Sequence, residues 1–224
     1  MLGLLLCGVA SGSAEPSASK DWKALCGKNI QMGLDAERVN QMVGHCRKMG
    51  LSTRDAEKLL APVIAAGEEA LPTECVFIKI EEGLAKQVDA ARITVAAEAR
   101  LECLRKARKL LATNSSGRGG GGPPHLIANI CLALESGLPE EVLQEIFTRP
   151  GGFRYGRLAQ VLEAGETLQL AGLDPKDTQQ IMDDCLDRNL NRHEILRVVD
   201  YVIAEHRKGS DFKAIHAGLW VRSD

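Results

Sequence analysis

Aromatic residues are scarce in this 224-residue chain, at 4%, with two Trp, two Tyr and four Phe. Runs of β-branched residues are equally few, so the composition lacks what strands and sandwich cores are built from. A dominant charge is missing as well. With 28 basic and 30 acidic residues the formal net charge is −2, which supplies no overall field to hold a polyanion such as nucleic acid. No run of the ~18 apolar residues needed to cross a membrane occurs. The seven cysteines stand singly and far apart, without C-x-x-C or C-x-x-C-H, which excludes zinc ribbons, thioredoxin-like pairs and c-type haem attachment. The five histidines form no H-E-x-x-H and no i, i+4 pair, which argues against a zinc hydrolase.

What is present is globular: 45% apolar and 26% charged residues, rich in Ala and Leu. The expectation is an all-α fold. Met1 to Ala14, MLGLLLCGVASGSA, reads as a signal peptide, with an apolar run followed by small residues before Glu15. Lipidation of Cys7 is the weaker alternative, because Leu6 rather than a small residue precedes it; a cytoplasmic chain is the other. Export to the periplasm or beyond would suit three disulfides among the remaining six cysteines. The competing reading makes each a small buried hydrophobe.

Residues 15–20 form a polar leader, 21–112 a first helical lobe, 113–124 (TNSSGRGGGGPP) a linker by composition, and 125–224 a second helical lobe. The lobes are related. Shifting by 139 residues aligns 33–80 with 172–219 without a gap, pairing Gly33-Leu34-Asp35 with Gly172-Leu173-Asp174 and Cys46 with Cys185. Val39, Met42, Val43 and Cys46 fall at helical spacing, as do Ala56, Leu59, Leu60 and Val63, and the second copy keeps both stripes. In Gly-Leu-Asp the Gly suits a left-handed residue closing one helix and the Asp caps the next. Ser52 with Asp55, Asn191 with Glu194, and Asp174 before Pro175 read as further helix starts, and Gly83-Leu84 and Gly137-Leu138-Pro139 as related turns. Boundaries 17 to 20 residues apart predict short helical hairpins in two lobes, stacked as an α-solenoid or a multi-helix bundle.

GLDAERV at 33–39, EGLAKQV at 82–88 and SGLPEEV at 136–142 resemble phrases repeated in uncharacterised bacterial exported helical-repeat proteins. The resemblance runs through most of the chain after residue 30. It implies a helical-repeat fold and carries no activity, cofactor or site.

Candidate sites are few. Arg149, Phe153, Arg154, Tyr155 and Arg157, in TRPGGFRYGR, combine Arg and aromatics in a Gly-rich stretch that interrupts the repeat, the composition of a protein-binding hot spot. RLECLRKARKLL, Arg100 to Leu111, reads as a basic helix with a solvated face, which could also meet anionic lipid or nucleic acid. Asp183, Asp184 and Asp187 read as a solvated acidic face. No catalytic residue, metal ligand or cofactor is indicated. The expected function is non-catalytic binding of another protein. The alternatives are an enzyme or small-ligand site between the lobes and a cytosolic nucleic-acid binder using the basic helix.

Overall fold

The computed structural model describes residues 15–114, 123–149 and 154–221. Among these are eleven α-helices and no strand: α1 (Glu15–Gln31), α2 (Ala36–Lys48), α3 (Thr53–Glu68), α4 (Thr73–Ala85), α5 (Ala90–Asn114), α6 (Pro124–Glu135), α7 (Glu140–Thr148), α8 (Tyr155–Leu170), α9 (Pro175–Asp187), α10 (Arg192–Arg207) and α11 (Phe212–Val221). The fold is all-α. Residues 15–20 belong to α1, so the polar leader is helix. The expected signal peptide with Cys7, and the centre of the linker at 115–122, lie outside the described residues.

Eight of the ten connections use one device. Each has a residue of positive φ (Gly33, Gly50, Ala70, Gln87, Gly137, Gly172, Asn189 or Gly209), and the N–H that follows donates to a carbonyl five residues back. Examples are Leu34 to Asn29 (3.4 Å), Leu71 to Ala66 (2.8 Å) and Leu173 to Leu168 (3.1 Å). This satisfies carbonyls that the ending helix leaves open and turns the chain sharply. The expected caps form where the sequence places them. Asp35, Ser52 and Asp174 accept backbone N–H bonds, and Asn191 with Glu194 closes a full capping box.

Gly83 is different from its expected role. It lies inside α4, and the turn comes four residues later at Gln87. A Cβ on Gly83 would sit 2.6 Å from Ile93 Cγ1, so its small size lets α5 cross close to α4.

The 139-residue offset carries over to the helices. α2 and α3 map onto α9 and α10 end to end, α1 maps onto α8 except for its first residue, and α4 and α11 start at equivalent positions. In the first half α1, α3 and α5 pack side by side, with α2 on α4 behind them; in the second, α6, α8 and α10 form the corresponding row. Contact between α5 and α6 joins the rows. Arg100 meets Glu135 while Cys103 meets Cys131, so these two helices run in opposite directions. The buried side chains of both halves form one cluster, in which each fully buried Leu, Ile or Phe contributes about 1.5–3 kcal/mol.

Equivalent helix pairs, α2 with α4 and α9 with α11, are tied by different chemistry. Arg38 of α2 holds Glu81 of α4 bidentately (2.8 and 3.1 Å) and lies 5.0 Å above the Phe77 ring. In the second half Asp184 of α9 meets His216 of α11 at 2.6 Å, and Arg188 stacks 3.8 Å from the Trp220 ring.

Candidate functional site

The Arg and aromatic segment follows α7, where Arg149 is extended (ψ 135°) instead of near-helical like the C-caps of α2, α3 and α4. Arg149 follows α7, and its guanidinium pairs with Asp183 (2.9 Å) and Asp187 (2.7 Å) of α9. Arg154 is the exposed residue that starts α8, Tyr155 is half-buried against the core, and Arg157 is half-buried in the first turn. Phe153 lies outside the described residues. Asp183 and Asp187 therefore hold Arg149 and Asp184 holds His216; Asp187 is exposed as expected, whereas Asp183 and Asp184 are half-buried, which corrects the solvated reading for those two. Burial raises the Asp183 carboxyl, and Arg149 opposes that shift.

The basic helix is amphipathic as expected, with one exception at Arg100. Residues 100–111 form the middle of α5, which packs against α3, α4, α6 and α7. Leu101, Leu104, Leu110 and Leu111 are buried. Arg105 pairs with Glu69 and Glu102, Arg108 with Glu69 (3.2 Å), and Lys106 with Glu140 (2.7 Å). These charges pair with neighbouring helices while Glu102, Lys106 and Lys109 stay exposed, so the apolar face of α5 is buried and its charged face is open apart from Arg100.

The most concentrated chemistry lies where α5 meets α6. Ile93, Ala97, Arg100, Leu104, Ala107 and Leu111 follow one another at spacings of three and four along the buried stripe of α5, so helical geometry carries a guanidinium into the core. The Arg100 side chain is 6% exposed, and its Nη2 donates to Glu135 Oε2 at 2.6 Å. Its Nε is buried without a partner. Such a group costs about 1–3 kcal/mol when left unsatisfied. Lys79 approaches the same Glu135 oxygen at 4.0 Å.

Beside this pair, Cys103 Sγ donates to the Cys131 carbonyl at 3.4 Å. The two thiol sulfurs and a Glu135 carboxylate oxygen all lie within 4.8 Å of one another. Cys131 and Glu135 are one helical turn apart in α6, which puts them on one face. The Cys131 thiol beside Cys103 favours ionisation of Cys103, while Cys131 holds its proton more tightly. A cleft of about 480 Å³ opens over the group, lined by Cys103, Glu135, Lys106 and Glu140 among others. Glu166 of α8 also lies in the field of Arg100 and Glu135, and burial raises its carboxyl.

The remaining described thiols are unpaired as well: Cys26, Cys46, Cys75 and Cys185 form no disulfide, so the three-disulfide framework is absent. Burial pushes Cys46 up to about 11 and Cys185 up to about 12, the behaviour of small core hydrophobes.

No local pattern announces the Cys103, Cys131 and Glu135 group, because its members come from two helices and span the linker. The one usable signal was the position of Arg100 on the apolar stripe of α5. Among the described residues no helix is long and apolar enough to cross a membrane. No family model, curated protein or solved structure matches the chain.

Proposed function

We propose that the protein is a helical-repeat scaffold that binds another protein through the connection between α7 and α8. The observation that carries this reading is the departure from the turn pattern at Arg149, which is extended (ψ 135°) where the C-caps of α2, α3 and α4 have ψ near 0°. Eight connections share one hydrogen-bonded turn, whereas this one is pinned at its start by Arg149 and ends on exposed Arg154 beside half-buried Tyr155. Departures from a consistent local pattern concentrate at functional segments, and Arg with aromatic residues favours protein contacts. The exposed cation at Arg154 suits an acidic partner surface.

The test is a photo-reactive residue placed at Arg154, compared with one at exposed Glu98 on α5, in cells that produce the protein natively. The expected result is one predominant adduct from position 154 that is absent from position 98 and lost in Phe153→Ala/Tyr155→Ala. The same adducts from both positions, or capture unchanged by the double substitution, would overturn the reading.

Export belongs to the same proposal and rests on the apolar Met1 to Ala14 run. Intact mass of the native protein tests it. Loss of these residues is expected, and retention of Met1 would remove export from the proposal.

A further inference from the structure

We propose that Cys103, Cys131 and Glu135 bind one thiophilic divalent cation, of which zinc is the best match, at the seam between the two halves of the protein. This goes beyond protein binding and does not depend on it. Three observations converge.

The first is the ligand set. Two sulfurs and a carboxylate oxygen lie within 4.8 Å of one another, from helices α5 and α6. Zinc sits about 2.3 Å from sulfur and about 2.0 Å from a carboxylate oxygen, so its ligand atoms stand roughly 3.5–4 Å apart. Small side-chain rotations close the triangle to that size.

The second is the charge around it. Two thiolates and one carboxylate bring three negative charges, which a divalent ion reduces to one. Arg100 is 94% buried by its 6% exposed side chain, and it already holds Glu135 at 2.6 Å. Its single positive charge makes the liganded group neutral, which suits a desolvated site. Arg100 would then orient the Glu135 ligand from the outer shell.

The third is access. The cleft of about 480 Å³ has Cys103 and Glu135 in its wall, which gives an ion a route in and leaves room for water at a fourth position. Zinc is preferred to calcium or magnesium because two of the three ligands are sulfur.

Binding displaces the hydrogen bond from Cys103 to Cys131 and releases the thiol protons to solvent. It also joins helices that are separated in sequence by the 115–122 segment, so occupancy should stabilise the contact between α5 and α6.

The test uses the full-length, reduced and chelator-treated protein, titrated with zinc against a chromophoric chelator and separately with cobalt(II). The wild-type protein should take up one equivalent, give tetrahedral cobalt absorption with a thiolate charge-transfer band, and melt at a temperature that rises with free metal concentration. Cys103→Ser and Cys131→Ser should each abolish the band and weaken uptake by about 100-fold or more, and Glu135→Gln by about 10-fold. Cys26→Ser, at a half-buried thiol outside the group, should leave uptake unchanged. Far-UV circular dichroism of each variant separates loss of a ligand from loss of fold. Absence of stoichiometric uptake by the wild-type protein overturns the proposal whatever the variants do, as does uptake indifferent to Cys103→Ser. Formation of a Cys103 to Cys131 disulfide under a mild oxidant, with no metal uptake beforehand, would also overturn it.

Discussion

Gly165 of α8 and Met182 of α9 are the counterparts, 139 residues on, of Cys26 and Val43 in α1 and α2. The first half pairs a medium side chain with a medium one, and both Cys26 and Val43 line one cleft. The second half pairs none with a long one. A Cβ at position 165 would stand 2.5 Å from Met182 Sδ and 3.0 Å from its Cε. Gly165→Ala gains about 1 kcal/mol of helix propensity and meets overpacking worth about 1–3 kcal/mol, a net loss of about 0–2 kcal/mol. Met182→Val empties part of a fully buried site. Truncating such a methionine to alanine costs about 2–5 kcal/mol, so stopping at valine should cost about 1–2 kcal/mol. In the double variant the alanine methyl occupies the vacated space, and the overpacking disappears. Equilibrium urea unfolding of all four proteins should show the double variant about 1–3 kcal/mol more stable than the sum of the single changes implies. Additivity within about 0.5 kcal/mol would refute compensation between the two positions.

Two further outcomes follow from the turns and from the seam. Ala70 holds φ of 53° where its counterpart is Gly209, so Ala70→Gly should stabilise the protein by about 1 kcal/mol in the same unfolding assay; a loss would show that strain there is negligible. Glu166 is raised by burial and then by Glu163, with Arg100 opposing and Glu135 adding. Its folded form binds the proton more tightly than the unfolded chain, so ionisation penalises folding increasingly as pH rises. Glu166→Gln should therefore raise the melting temperature at pH 7 to 8, with the gain fading toward the unfolded carboxyl value of about 4.3; a pH-independent difference would refute this.

The caps were legible because capping is local: Asp35, Ser52, Asp174 and Asn191 act on N–H groups two or three residues away. The buried stripes were legible for the same reason, since periodicity shows which face needs a partner. It does not show which neighbour supplies one. That is why α5 read as a basic surface helix, although Glu69, Glu135 and Glu140 on other helices or turns meet its charges. Gly83 was misread because a helix crossing and a turn both call for glycine. The thiol and carboxylate group was illegible because Cys103 and Cys131 meet only when α5 and α6 lie antiparallel.

The fixed step of the turns bears on how such a chain changes length. From Gly33 to Ala70, from Gly50 to Gln87 and again from Gly172 to Gly209, like follows like after 37 residues. A duplicated or deleted segment of that size would begin and end at the same point of the same turn, and its two helices would meet neighbours already shaped for them. Length can therefore vary in whole helix pairs without disturbing the register of those that remain. At the end of α7, where Arg149 is extended, that interchangeability stops.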